Sequence, residues 1–285
     1  MTLYRFGKDG GKPEKLPIPE NEKQRAEELH NALVEKAAEN DEKLMELYFE
    51  KGNLDEDELR LGLNKGMMKH DVFPVFCLSA KKDMGSGRLM GFIDNVAPSA
   101  VDMPAEIAED GTAVKCDPAK PTTLFVFKTL IEPHLGKLSF FKVTSGEVAV
   151  GMDLQNEATS TTERINQLFI MDGKNRNPVD RLKAGDIGAT LKLKNTFTNH
   201  TLNGKGSAVN LVPIDFPTPR VRTAIVAKNK TDDEKLGSVL SEIHMADPTL
   251  IVEYSRELKQ VILHAQGDLH LQMIKWRIEH VYKLD

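Results

Sequence analysis

Cysteine is almost absent from this sequence of 285 residues. Its two cysteines, Cys77 and Cys116, do not form a C-x-x-C motif. This scarcity excludes a disulfide framework and gives no indication of a cysteine zinc site. We therefore expect no metal site in the chain, and a cytoplasmic location is predicted because the reducing cytoplasm keeps thiols free.

Long apolar runs are missing as well. The most apolar stretch, VFPVFCLSA, occupies only residues 72–80, whereas a membrane-spanning helix needs about 20 residues. The N-terminus also lacks the apolar segment of a signal peptide. We expect no contact with a membrane.

The composition is that of a globular protein, with 40% apolar and 28% charged residues and a net charge of -5. A length of 285 residues favours two or three domains. The acidic residues are concentrated in the first part. Residues 1–120 carry 24 Asp and Glu against 17 Lys and Arg, whereas residues 121–215 carry 9 against 11. This change in charge favours a domain boundary near residue 120.

Residues 1–100 have the pattern of helices around one strand. Apolar residues recur at a helical period over residues 21–50, which predicts one helix. Asp55 followed by Glu58 is a capping-box pattern and predicts a second helix that ends at Gly66.

The apolar run VFPVFCL at residues 72–78 predicts a strand in which Cys77 is buried. It leads into SAKKDMGSG and a short helix predicted over residues 88–96. An acidic, proline-containing connector at residues 101–120 separates this part from the β-rich region after it.

From residue 121 to residue 215 the sequence consists of short β-rich runs separated by glycine. The runs are TTLFVFKTL, KLSFFKVTSG, VAVGMDL, RINQLFI and AGDIGATLKL. Runs of this length, with turn signals about every ten residues, predict an antiparallel barrel. Phe140 and Phe141 are adjacent in one run, so we expect one of them in the core and the other on the opposite face.

Residues 216–285 follow a proline-rich linker, PIDFPTP. Their pattern predicts a strand at 221–228, a helix at 231–246, strands at 249–255 and 259–265, and a helix at 268–282. This β-α-β-β-α order lacks only the last strand of a split β-α-β, or ferredoxin-like, domain.

The start of the first helix in that domain carries a motif with two interpretations. Asn229-Lys230-Thr231-Asp232 fits the N-K-x-D pattern that reads a guanine base, whereas Thr231 to Glu234 also fits a capping box. A nucleotide site also needs phosphate-binding segments. No Gly-Lys pair in this chain precedes Ser or Thr, and no Asp has Gly three residues later. We therefore favour the helix cap.

A second guanine-type motif, Ser79-Ala80-Lys81, comes directly after the apolar run at residues 72–78. In a G domain this loop comes after N-K-x-D. Here it comes first and lies in a different predicted domain, so the two motifs do not belong to one ordinary site.

The chain resembles translation elongation factor G over nearly its whole length. Residues 39–68 together with FPVFCLSAKKDMG resemble the end of that family's G domain with part of its helical insertion. GKLSFFKVTSGEV, residues 164–196 and TNHTL resemble its second domain, and EKLGSVLSEIHMADPTL with GDLHLQMI resembles its third. The family usually has G-E-L-H-L-E where this chain has GDLHLQ.

The resemblance implies a multidomain α/β and β fold. Residues 1–100 would be the C-terminal part of a G domain, 101–120 a connector, 121–215 the β-barrel domain II, and 216–285 a ferredoxin-like domain III with its last strand truncated. It also implies that the chain is a fragment of a GTPase that moves tRNA and mRNA through the ribosome. Because the phosphate-binding elements are missing, we expect the fragment itself to be non-catalytic and to contribute ribosome docking and interdomain coupling.

The resemblance also implies binding partners. Ser79, Ala80 and Lys81 would be a remnant of the guanine-side nucleotide loop, which in this family is more usually G-S-A-F. GTP and Mg²⁺ would be cofactors of the parent protein, with none bound to the fragment. The ribosome is the expected partner, and neither a membrane nor DNA is expected.

Residues of the barrel are expected to approach phosphates of small-subunit rRNA, because Lys and Arg make such contacts. They are Lys137, Arg164, Lys174 and Arg176; the alternative for each is ordinary surface charge. In domain III the resemblance assigns Gly267, Asp268 and His270 to interdomain coupling. His270 is expected to have a structural role at a helix start, and Trp276 and Tyr282 to pack in the core or between domains.

Two other hypotheses remain open. The chain could come from a divergent paralogue or from a ribosome-protection factor that confers tetracycline resistance. It could also be a complete, free-standing nucleotide- or RNA-binding module, which would bind its ligand when isolated.

Overall fold

The computed structural model describes residues 1–132, 136–229, 232–257 and 260–284. The chain divides into two compact units, Met1–Met103 and Pro104–Asp285. The second unit holds two successive domains, one built almost entirely from β-strands and one that combines strands with helices.

The first unit is mainly helical. A short hairpin of two antiparallel strands precedes four helices. The elements are β1 (Leu3–Arg5), β2 (Glu14–Leu16), α1 (Glu20–Ala38), α2 (Glu42–Lys51), α3 (Glu56–Met68) and α4 (Ser86–Asn95).

The prediction of a single helix over residues 21–50 is wrong. The structure has two helices there, α1 and α2, with a break between them. Asp41 has an extended backbone, and its side chain accepts hydrogen bonds from the amides of Lys43 and Leu44. The Asn40 amide group donates to the carbonyl of Lys36 at 2.8 Å. These side chains satisfy the backbone groups at the break and make two capped helices more stable than one continuous helix.

The capping box of Asp55 and Glu58 is confirmed at the start of α3, but Gly66 does not end that helix. Gly66 lies inside α3, and a Cβ placed there would come within 2.7 Å of the Asn40 side chain. At Gly62 a Cβ would lie 2.5 Å from the carbonyl oxygen of Ala37. Gly62 therefore permits close approach between α1 and α3, and Gly66 makes room for the side chains of Asn40 and Val72; neither glycine ends the helix.

The strand predicted at residues 72–78 does not form. No strand within the described part of Met1–Met103 pairs with it, and Pro74 lacks a backbone donor. Phe73 and Val75 are 75% and 90% exposed. Cys77, predicted to be buried, is exposed as well, because burial of this segment would need a neighbouring sheet.

The first domain of the second unit is an eight-stranded antiparallel sheet with two flanking strand pairs. The sheet order is β11-β10-β13-β6-β5-β14-β8-β9, while β7 pairs with β12 and β3 with β4. The strands are β3 (Glu106–Ile107), β4 (Ala113–Val114), β5 (Thr123–Glu132), β6 (Gly136–Ser145), β7 (Glu147–Ala149), β8 (Asp153–Asn156), β9 (Thr161–Arg164), β10 (Leu168–Asp172), β11 (Asn175–Val179), β12 (Arg181–Lys183), β13 (Ile187–Leu191) and β14 (Thr201–Asn203).

One apolar core unites these strands, as expected for a sheet that coils around itself. Phe141 is fully buried in this core with Leu124, Leu154 and Leu202, whereas Phe140 packs in a smaller cluster on the other face. The predicted alternation of the two phenylalanines is therefore confirmed. The β-rich run RINQLFI is divided between β9 and β10, because residues 165–167 belong to neither strand.

Part of the predicted connector is bound to the β domain. Ala108 forms a bridge with Leu211, and the amide of Glu109 donates to the carbonyl of Asn210 at 2.8 Å. Glu106 forms an ion pair with Lys142 of β6 at 2.8 Å. Backbone pairing and this ion pair thus hold residues 106–109 of the predicted connector against the β domain.

The last domain has the predicted order of elements. They are β15 (Val221–Ile225), α5 (Asp233–Ala246), β16 (Ile251–Ser255), β17 (Gln260–Ala265) and α6 (Asp268–His280). The antiparallel sheet order is β15-β17-β16. Both helices contribute to one core that includes Leu240, Ile243, Leu263 and Ile274, and α5 also lies beside β5.

The contact between α1 and α3 leads to a first prediction. Gly62→Ala should lower the free energy of unfolding by about 1–3 kcal/mol, because its new methyl group would collide with the backbone of Ala37. Gly91→Ala is the matched control. Gly91 lies in α4, where a Cβ would meet nothing within 4 Å, and alanine should raise stability by about 0.5–1 kcal/mol.

Urea unfolding of the whole chain, followed by circular dichroism, would measure both changes. Equal effects of the two substitutions would contradict a close approach of the helices at Gly62.

Candidate functional site

The Ser79-Ala80-Lys81 segment lies in a tight exposed turn. The amide of Ser79 donates to the carbonyl of Met84 at 2.9 Å, and the Met84 amide returns a bond to Ser79 at 3.0 Å. Residues Ala80–Lys82 form a single 3-10 turn, which ends at Asp83 with φ of 49°. Ala80 and Lys81 are exposed, and the Ser79 side chain does not cap the turn.

A glycine-rich loop near the N-terminus is seated against this turn. The amide of Gly11 donates to the carbonyl of Lys82 at 3.3 Å, and the Lys82 ammonium donates to the carbonyl of Lys8 at 2.7 Å. A Cβ at Gly10 would lie only 1.7 Å from the Lys82 carbonyl oxygen, so only glycine fits there. The sequence patterns did not predict this contact, which joins segments about 70 residues apart.

The N-K-x-D motif at residues 229–232 lies just before α5. Asn229 accepts a hydrogen bond from the amide of Asp232 at 2.9 Å, and the Asp232 carboxylate lies 3.7 Å from the Lys235 ammonium. The helix begins at Asp233, and Asp232 makes no side-chain cap. The predicted capping box includes Thr231, which lies outside the described residues, as does Lys230 of the guanine motif.

Lys137 of the barrel has its ammonium turned towards the protein. It donates to the carbonyl of Lys194 at 3.0 Å and lies 4.1 Å from the centre of the Phe197 ring. Burial lowers the pKa of Lys137, while the nearby Glu163 carboxylate opposes that shift. This ammonium is less available to a phosphate than a free surface lysine, and its contact with rRNA stays a prediction.

The other three predicted rRNA contacts lie in different surroundings. Arg164 forms an exposed ion pair with Asp153 at 3.2 Å. Lys174 is exposed at the tip of the β10–β11 hairpin, and Arg176 is half-buried on β11. Lys174 is therefore best placed of the four to meet a partner's phosphate.

A buried polar network in the β domain was not predicted from the sequence. The Glu163 carboxylate accepts hydrogen bonds from the amides of Lys194 and Asn195, at 3.0 and 2.6 Å, and from the Thr196 hydroxyl. Asn156 donates to Thr196 at 3.0 Å and also contacts His200. Two side chains thus hold the loop before β14 in place of strand pairing.

The start of α6 is joined to the end of α5 through His270. The amide of Gln266 donates to Nδ1 of this imidazole at 3.2 Å, so Nε2 carries the proton and donates to the Asp247 carboxylate at 3.0 Å. Asp247 also accepts from the amide and hydroxyl of Thr249. These contacts support a structural role for His270 at this helix start.

Gly267 and Asp268, at the start of α6, are less constrained. Gly267 has extended backbone and open space where a Cβ would lie, and Asp268 is exposed in the first helical turn. The proposed coupling role of these residues stays a prediction.

Asp247 is held in its ionised form. Burial alone would raise the pKa of its carboxyl group, but hydrogen bonds from Thr249 and the interaction with His270 outweigh burial and lower that pKa. The carboxylate therefore links folding of this helix junction to pH.

Trp276 and Tyr282 differ in their surroundings within this domain. Tyr282 packs against the core, as predicted. Trp276 is 55% exposed and stacks on His280 with 5.1 Å between the ring centres. Trp276 is thus not part of the domain core.

Neither a metal centre nor a membrane span is found in the described parts of the chain. No group of three or more His, Cys, Asp or Glu side chains there is arranged to hold a metal ion. No helix in those parts combines the length and apolar character that crossing a bilayer requires.

The fold defines a multidomain protein in which an antiparallel β domain precedes a β-α-β-β-α domain. Two family models match these domains. The one described as Elongation factor G domain 2 matches residues 121–205, and the one described as Elongation Factor G, domain III matches residues 216–285. Together they cover more than half of the chain, which belongs to the elongation factor G family.

A solved structure agrees with this assignment at the level of fold. A crystal structure of a protein from Thermus thermophilus matches 100% of this chain with a TM-score of 0.83 and 24% sequence identity. The match covers 41% of that protein. This chain therefore spans less than half the length of that similar structure.

The ionised Asp247 leads to a second prediction. Asp247→Ala should destabilise the chain at neutral pH, and this loss should shrink as pH falls below about 4. The folded-state pKa lies below the unfolded value, so the contribution of the carboxylate is complete above the unfolded pKa and disappears as pH falls through the folded one.

Urea unfolding of both chains at several pH values from about 7 to 3 would measure this effect. Asp268→Ala, at an exposed position, is the control and should change stability little at any pH. If Asp247→Ala lowered the free energy of unfolding by the same amount at every pH, the charge of this carboxylate would not contribute to stability.

Proposed function

We propose that this chain provides the second and third domains of an elongation factor G type translational GTPase that moves tRNA and mRNA through the ribosome. The observation that carries the proposal is the succession of two family matches along residues 121–205 and 216–285. In this proposal the chain contributes ribosome docking and interdomain coupling, and it does not hydrolyse GTP by itself.

Residues 1–100 are proposed to be the C-terminal part of a G domain. Residues 72–78 form no strand in this unit, and apolar side chains at both odd and even positions of the segment are exposed. Such a run is typical of a strand in a parallel sheet that helices cover on both sides. The exposed turn at Ser79–Lys81 comes directly after this segment, which supports its assignment as the guanine-side loop.

Residues 216–285 are proposed to form a ferredoxin-like domain. The sheet order β15-β17-β16 places the first strand beside the third and the third beside the second. This arrangement leaves the outer edge of β15 for a fourth strand, as a split β-α-β domain would require.

GTP and Mg²⁺ are proposed as cofactors of the family protein rather than of these residues alone. The sequence has no Gly-Lys-Ser or Gly-Lys-Thr for the phosphates and no D-x-x-G. Guanine contacts at Ser79, Ala80 and Lys81 would supply only a small part of nucleotide affinity.

Docking on the small ribosomal subunit is proposed to involve the basic side chains of the barrel, with Lys174 foremost. This lysine is exposed at a hairpin tip, where it can approach an rRNA phosphate without disturbing the fold. A ribosomal partner also supports the cytoplasmic location proposed for this protein.

Nucleotide titration provides the third prediction. Fluorescent GTP or GDP in Mg²⁺ buffer should show no saturable binding to the chain below about 1 mM, which is weaker than about -4 kcal/mol. Lys81→Ala and Asp232→Ala should behave like the original chain. Micromolar binding that is lost in Asp232→Ala would instead support a free-standing guanine-nucleotide module.

Binding to isolated small ribosomal subunits provides the fourth prediction. Co-sedimentation should reveal weak binding that decreases with salt, because phosphate contacts release counterions. Lys174→Glu should weaken binding and reduce the slope of log affinity against log salt by about one. Lys12→Glu, at an exposed position of the helical unit, is the matched control. An equal effect of both variants would contradict docking through the barrel.

A further inference from the structure

Side chains hold residues 194–200, which form most of the loop between β13 and β14. Glu163 accepts hydrogen bonds from the amides of Lys194 and Asn195. At the end of the loop, the carbonyl of His200 accepts from the amide of Val126, in β5, at 2.9 Å. The imidazole of His200 also bonds the loop, and histidine is the side chain whose ordinary pKa lies near neutral pH.

Nδ1 of His200 faces hydrogen-bond donors. The side-chain nitrogen of Asn156 lies 3.0 Å from Nδ1, and the backbone amide of Phe197 lies 3.4 Å from it. The same Asn156 nitrogen lies 3.2 Å from the carbonyl oxygen of Asn195 and 3.0 Å from the Thr196 hydroxyl. An amide oxygen in its place would repel that carbonyl, so the Asn156 nitrogen is the donor here. Nδ1 must therefore accept, and the neutral imidazole carries its proton on Nε2.

Protonation of the imidazole would break this arrangement. A proton on Nδ1 would point at the N–H groups of Asn156 and Phe197, neither of which can accept it. Burial, assisted by the positive charge of Lys137, lowers the pKa of His200, although the carbonyl of Asn195 opposes this shift. The closed loop therefore favours the neutral imidazole.

Two charged side chains bond this loop, Lys137 from β6 and Glu163 from β9. The Glu163 carboxylate is directed at the loop, where it accepts from two backbone amides and the Thr196 hydroxyl. The Lys137 ammonium donates to the carbonyl of Lys194 at 3.0 Å and lies 3.4 Å from that of Thr196. If the loop opened, this ammonium would lose both carbonyls, and its distance from a protonated His200 would increase.

We propose that residues 194–200 form an acid-sensitive latch, which the neutral imidazole of His200 keeps closed and which protonation of that imidazole opens, exposing the ammonium of Lys137. The apolar core of the β domain includes Leu193 and Leu202, on either side of the latch, but none of residues 194–200. Opening is therefore local and leaves the domain folded. This inference goes beyond the proposed function and depends on neither nucleotide nor rRNA binding.

The direction of the pH dependence follows from the neutral form of the imidazole. The folded-state pKa of His200 lies below the unfolded value, which is about 6.5. The stabilisation from the neutral imidazole is therefore complete above the unfolded pKa and is lost as pH falls through the folded one. The latch is closed at neutral pH and opens increasingly below about pH 6.

Hydrogen exchange of the whole chain, measured by mass spectrometry, tests the proposal. After correction for the intrinsic effect of pH on exchange, protection of the amides in residues 194–200 should fall about tenfold between pH 7.5 and pH 5. Protection of the β6 amides in residues 138–145 should not change.

Two variants identify the group that titrates. His200→Asn should abolish the fall in protection, because the asparagine oxygen can accept near the position of Nδ1 and does not titrate. His70→Asn is the matched control and should retain the fall. His70 is exposed and has φ of 61°, a conformation that asparagine tolerates.

Equal protection of residues 194–200 at both pH values would overturn the proposal, as would a fall that persists in His200→Asn. Loss of protection in β6 together with the loop would show unfolding of the whole domain, and the latch would again be wrong. If His200→Asn did not fold, nitrogen-15 NMR of the histidine rings in the original chain would decide. A proton on Nε2 alone is expected for His200 at pH 7.5, and a proton on Nδ1 at that pH would contradict the latch.

Discussion

Extended backbone is stable inside a folded protein only when its amide and carbonyl groups find partners. Most of the second unit follows from this constraint. Ten-residue strands β5 and β6 pair along their length, and even the acidic segment around Ala108 is held because it forms backbone bonds with residues 210–212. The sheet can then curl around a shared apolar core that includes Phe141.

Where strand pairing ends, side chains provide hydrogen-bond partners for the backbone. Glu163 accepts two backbone amides of the loop before β14, and Asn156 supports the same loop through Thr196. His270 and Asp247 act in a similar way at the junction of α5 and α6. In each case a polar side chain bonds a partner across a long sequence separation, so each domain acquires a defined local geometry without additional regular structure.

Within the described part of the chain, two segments lack strand partners for some of their backbone groups. Residues 72–78 form no strand, and most of their apolar side chains are exposed. The outer edge of β15 adjoins an apolar groove and has basic neighbours. The matches to domains II and III of elongation factor G account for the order of the two domains.

Local features were predictable from the sequence because they depend on neighbouring residues. The capping box of Asp55 and Glu58, the opposite orientation of Phe140 and Phe141, and the β-α-β-β-α order follow from spacing and from the alternation of side chains along a strand. Gly66 was interpreted as a helix end because glycine often ends helices, but only the packed structure places Asn40 against it. Similarly, the apolar character of residues 72–78 indicates that they prefer burial, but it does not show whether a neighbouring sheet is present to bury them.

The sequence by itself therefore determined the order of elements in the last domain and the family to which the chain is similar. Tertiary structure alone decided that Cys77 is exposed, that the ammonium of Lys137 bonds the carbonyl of Lys194, and that Glu163 holds a distant loop. The physical reason is that propensity and periodicity act over a few residues. Burial, ion pairing and hydrogen bonding depend on groups that only the folded chain brings together.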